Sequence, residues 1–150
     1  MTSSANLWLV FAGGLSAAAS VAHLACIFVG SSMYRFMGAG EQFAVAAQRG
    51  SWTPAIVTSA IVCVLAVWAL YAFSGAGLLR PLPRTRLALV AISAVLFARA
   101  SLYFVHPRWR PDLSHEFMAW SSGIVLVMAV CFAAGTIQAW PSLSARGALR

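Results

Sequence analysis

The stretch "TPAIVTSAIVCVLAVWAL", residues 53–70, contains no charged side chain. About 20 residues at 1.5 Å each cross the hydrocarbon core of a bilayer. A backbone in lipid must satisfy its own hydrogen bonds, so a run of this length reads as a helix. Pro54 falls in its first turn, where the missing N–H is tolerated. The helix is expected over 53–73, ending at Gly75 and Gly77 before Pro81 and Pro83.

Working outward, three more apolar runs have the same character. The first spans 7–30 and follows Asn6, a suitable N-cap. Another spans 84–105, between "RPLPRTR" and "HPRWRP", and the last spans 114–140 and is expected to stop before Pro141. "EQFAVAAQR", residues 41–49, has polar ends and an apolar middle, which suits a short interfacial helix. The expected fold is all-α: an integral membrane bundle of four transmembrane helices in one domain, 1–150, with that short helix between the first and second.

Composition agrees. The chain of 150 residues is 61% hydrophobic and 9% charged, with mean hydropathy +0.84. A soluble domain carries about a quarter charged residues. The net charge of +7 comes from ten arginines against three acids, with no lysine. The arginines are spread over loops and form no dense patch, so the expected partner is the lipid bilayer and not nucleic acid. Trp8, Trp52, Trp109 and Trp140 fall near span boundaries, as an aromatic belt does. Cys26, Cys63 and Cys131 lie in separate apolar runs without a C-x-x-C, which disfavours thiol–disulfide chemistry.

Arg80, Arg84, Arg86, Arg146 and Arg150 lie on the side of both termini, against Arg35, Arg49, Arg108 and Arg110 on the other. The positive-inside rule then puts both termini in the cytoplasm. Glu41, Asp112, Glu116, His106 and His115 collect at the opposite face, called outer here. The first helix is rich in small residues: Gly13 with Ala17, and Ala18 with Ala22, permit close packing within the bundle or between the subunits of a homodimer.

Arg99 is the sharpest functional signal, roughly 9 Å inside the third span. A charge there costs about 2.5–3.5 kcal/mol on insertion scales and normally faces the bundle with a partner. Tyr103 and His106 share its helix face, and Glu41 and Glu116 are the expected carboxylate partners. With Tyr34, Arg35 and His23, these residues make the expected ligand-binding set: Arg99 and Glu41 as the charged centre, the others supplying hydrogen bonds. His23 and Cys26 stand at i, i+3, and with Met33 and Met37 offer donors that suit copper. The spacing demands no metal, and none is assigned. No catalytic motif is present, so the reaction, if any, and the cofactor are left open.

One internal echo stands out. Tyr34-x-Phe36-x-Gly38-Ala39-Gly40 is repeated as Tyr71-x-Phe73-x-Gly75-Ala76-Gly77, which reads as similar helix-end chemistry at opposite membrane faces. "AHLACIFVGSSMYRFMGAGEQFA", "WALYAFSGAGLLRPLPRTRLALVAIS" and "SSGIVLVMAVCFAAGTIQAW" resemble a group of small bacterial four-helix inner-membrane proteins of uncharacterised function. The resemblance implies that fold and location, and no activity. The reading of the residues is a membrane protein with an outward-facing polar pocket that binds or transports a small ligand or ion. The alternatives are a membrane enzyme acting on a lipid or thiol-type substrate, or an accessory subunit of a membrane complex. The charge-free second helix lacks the Arg, Asn and Glu pattern of glutathione-type membrane transferases.

Overall fold

The computed structural model describes residues 5–105 and 113–148, apart from the side chains of Tyr103 and residues 144–148. Six helices follow one another: α1 (Leu7–Val29), α2 (Ser31–Phe36), α3 (Glu41–Gln48), α4 (Thr53–Gly75), α5 (Thr85–Val105) and α6 (His115–Ala148). Four of them, α1, α4, α5 and α6, are long and apolar enough to cross a membrane. No strand occurs among the described residues. The chain is an all-α four-helix bundle with the length and composition of a multi-pass membrane protein.

The long helices form a ring. α1 runs along α4 and α5 along α6, while α1–α6 and α4–α5 contacts close it. α4 and α6 also touch across one diagonal. Large apolar side chains such as Phe11, Ile56, Leu87, Ile124 and Ile137 point out of the ring. In water such faces would be an association liability. Against lipid tails they cost nothing, so their exposure agrees with the composition.

Asn6 starts α1 as expected. Its Oδ1 accepts from Leu9 N at 3.1 Å, and its Nδ2 donates to the Gly135 carbonyl on α6 at 3.0 Å. Leu9, 0% exposed, fills the space between helices. A Cβ added at Gly135 would stand 2.6 Å from Leu9 Cγ, and one at Gly75 would stand 2.9 Å from Leu9 Cδ1. These glycines form the socket for a leucine knob. Around it lies the main core, with Ala12, Ala72, Leu89, Ile92, Leu96, Met128 and Phe132. This core fills the half of the bundle nearer the termini.

Three details depart from the sequence reading and one, at Gly13, decides between alternatives it left open. The echo resolves into different conformations. Gly38 takes a left-handed φ of +68°, while its counterpart Gly75 is helical and serves packing; Gly40 and Gly77 both have positive φ. The connection between the first two spans holds two short helices, because Gly30, at φ +82°, ends α1 and α2 restarts at once. Gly13 is buried against Phe73 of α4, so that part of the small-residue stripe belongs to the bundle; Gly14 and Ala18 stay on the outside. Finally, α6 does not stop at Trp140 but passes through Pro141 to Ala148. Pro141 removes one backbone donor. Packing holds the direction regardless: Ala139 and Leu143 sit in the core on either side, and the Arg86 guanidinium lies 3.8 Å from the Trp140 ring centroid.

Candidate functional site

The outer end is capped by the α2–α3 hairpin. The Arg35 Nε and Nη2 donate to the two Glu41 carboxylate oxygens at 2.9 and 2.7 Å. The fork geometry matches a carboxylate on both nitrogens. This hydrogen bonding holds the Glu41 carboxyl below the usual glutamate range and raises Arg35. The pair is solvent-facing, with side chains 42% and 62% exposed. Inside the hairpin, Tyr34 is only 3% exposed, its ring tilted against Phe43 at 6.4 Å, and its hydroxyl has no protein partner. Gly38 is tight as well: a Cβ there would clash with Cε1 and Cζ at the edge of the Phe117 ring of α6. Two open depressions lie at the ends of the molecule. One of about 530 Å³ borders α3, with Glu41, Gln42 and Arg49 on its wall. The other, about 480 Å³, lies by Asn6, Trp8, Gln138 and Ser142.

Arg99 is half-buried, and its Nη2 donates to Ser121 Oγ on α6 at 3.2 Å. The expected pairing of Arg99 with Glu41 or Glu116 is corrected. Among the described residues the ion pair present joins Arg35 to Glu41, which stands six positions away across the glycine turn, and Glu116 is exposed in the first turn of α6. His23 Nδ1 donates to the Ala19 carbonyl at 2.8 Å, one turn back on its own helix. Tyr103 lies one turn beyond Arg99 with its side chain outside the described residues, and His106 lies outside them altogether.

The helix register places several polar groups at one depth. The Leu9–Gly135 contact aligns α1 with α6, and the Ser20 Oγ bond to the Val62 carbonyl at 3.0 Å aligns α1 with α4. At 1.5 Å per residue, Ser122 lies about 20 Å outward of Gly135, level with His23. Thr58 of α4 and Arg99, bonded to Ser121, fall within a turn of that level. A polar layer therefore separates the main core from the small outer cluster of Cys26, Tyr34 and Ala44. Its Ser122 differs from two hydroxyl residues of the main core. Ser93 and Thr136 there donate to the carbonyls of Leu89 and Phe132 on their own helices. Ser122, 2% exposed, has no protein partner for Oγ; Ser16, which by the same register lies level with Met128 in the main core, has none either. An unsatisfied buried hydroxyl costs about 1–3 kcal/mol.

Sequence reasoning missed Ser16, Ser20, Thr58, Ser121 and Ser122. The signal available was polarity inside apolar runs, and such residues usually serve helix–helix contacts. Only the register between helices distinguishes those beside Arg99. Comparison of the chain with family models, with curated proteins and with solved structures gave no match.

Proposed function

We propose that this protein binds or passes a small anionic ligand through the polar layer of its outer half, at Arg99, His23, Ser121 and Ser122. The observation that carries the proposal is Arg99: a guanidinium half-buried in a span, held by a neutral hydroxyl, with no carboxylate in ion-pair reach among the described residues. A lone charge in a bundle is costly. An anion or a carbonyl-rich head group entering from the outer face offsets that cost. The unpartnered Ser122 hydroxyl supports the same reading, because a ligand oxygen can accept from it. Tyr34, Arg35 and Glu41 belong to the cap over this layer, with Arg35 and Glu41 latching it. The setting we propose is a bacterial inner membrane with both termini cytoplasmic, supported by the resemblance and by the larger share of arginine on that side.

Native mass spectrometry of protein extracted gently from its own membrane tests this directly. The expected result is a reproducible adduct on the wild type. Arg99→Gln should keep its helical content and hold the adduct about 10- to 100-fold more weakly, as loss of a charge-assisted hydrogen bond requires. Bare wild-type subunits, or an adduct that Arg99→Gln retains unchanged, would overturn the proposal.

A further inference from the structure

The outer cluster has a chemistry of its own. Cys26, 2% exposed, Tyr34 and Ala44 form its buried part, and the Met33 and Met37 side chains pack against it. Met33 lies in α2 and Met37 is its C-cap one turn on, with Met37 N donating to the Met33 carbonyl at 2.9 Å, so the two share a face. Cys26 Sγ makes only the weak S–H contact to the Ala22 carbonyl, at 3.5 Å. His23 stands one turn earlier on α1, and its Nδ1–H is engaged by Ala19. That tautomer leaves the lone pair on Nε2. The Tyr34 hydroxyl, buried in the same cluster without a protein partner, marks the place as more than an apolar filling.

No three His, Cys, Asp or Glu side chains converge among the described residues, so a zinc-type shell is not formed. One thiol, two thioethers and an imidazole are a different set. Sulfur ligands disfavour calcium and magnesium, and a set dominated by thioethers favours monovalent copper over zinc. Charge also favours that ion. One thiolate with one Cu(I) is neutral overall, which suits a buried position beside a span where net charge is costly. The adjacent Arg35 is already paired with Glu41. Methionine side chains are unbranched and can turn both sulfurs toward one point.

We propose that Cys26, Met33 and Met37, with His23 Nε2 as a fourth donor, bind one Cu(I) ion at the outer end of α1. On binding, the Cys26 S–H bond breaks, its proton passes to solvent, and the sulfur bonds to copper with no change of oxidation state. The site uses His23 from the polar layer but neither Arg99 nor Ser121.

The test is an anaerobic titration of the purified full chain with Cu(I) against bicinchoninate as competing chelator. The wild type should retain one equivalent. Cys26→Ser should weaken retention by about 100-fold or more, and the double variant Met33→Leu, Met37→Leu by about 10-fold or more. Cys63→Ser, Cys131→Ser and Arg99→Gln should bind as the wild type does, which separates this site from the proposed anion site. Zn(II) should not be retained. Should Cys26→Ser fail to fold, the double methionine variant decides, because Leu for Met conserves volume. A wild type that retains no Cu(I), or a double variant that retains it at full affinity, would sink the proposal.

Discussion

At the scale of single residues, glycines separate two kinds of constraint. Gly30 and Gly38 both hold positive φ, but a Cβ at Gly30 meets nothing within 4 Å while one at Gly38 clashes with the edge of the Phe117 ring. Gly30→Ala should therefore cost only the backbone strain of its φ +82°, ψ −143° conformation, about 1–3 kcal/mol. Gly38→Ala should cost that and overpacking, typically a further 1–3 kcal/mol. Thermal unfolding in detergent checks the order; equal losses would mean that the Phe117 ring moves aside freely. Arg99 was legible as a charge inside a span because one charge in an apolar run needs no alignment to be noticed. Its partner Ser121 was not, because that hydroxyl is selected by the α5–α6 register, which no local pattern encodes. Glu41 was assigned to the wrong arginine for a related reason. The turn made by Gly38 and Gly40 folds α3 back and brings the Arg35 guanidinium within 2.7 Å of the Glu41 carboxylate.

At the scale of elements, the four spans were readable from hydropathy and caps, and their starts agree closely with the structure. The end of α6 was not, since Pro141 normally argues for a stop and only tertiary contacts around Trp140 and Leu143 keep the helix going. The α2–α3 hairpin lends itself to a pH experiment. Arg35 lowers the Glu41 pKa in the folded protein. Its contribution is complete above the ordinary glutamate pKa and is lost as pH falls through the lowered folded value. Amide exchange in α2 and α3 should therefore speed up, relative to the rest of the chain, only below the usual glutamate range. The effect should be small, as the pair is exposed and screened. Glu41→Gln should abolish the pH dependence; persistence of it in that variant would assign the acid response elsewhere.

At the scale of the whole molecule, the interior is divided lengthwise. The half nearer the termini is a close-packed apolar core around Leu9, and the outer half is a layer of hydroxyls, imidazole and guanidinium under a small cap. The two halves should answer truncation differently. Leu9→Ala empties a fully enclosed socket and should cost about 2–5 kcal/mol. Ser122→Ala removes an outer-half hydroxyl that has no protein partner and should be neutral or stabilising by about 1 kcal/mol. Unfolding of both variants in mixed micelles compares them; a Ser122→Ala loss as large as that of Leu9→Ala would mean that the outer half is packed as tightly as the inner.

The Asn6 side chain joins the first turn of α1 to the Gly135 carbonyl on α6, across 129 positions of sequence. Synthesis gives that bond a history. The first span must wait in the bilayer, its leading side chain half-bonded and Leu9 without its Gly135 wall, until the last span has left the ribosome. Until then the nascent bundle presents an open seam to lipids, chaperones and membrane proteases. The final helix is thus the closing step of assembly, and a chain that stalls before residue 135 exposes its defect at the opposite end of its own sequence.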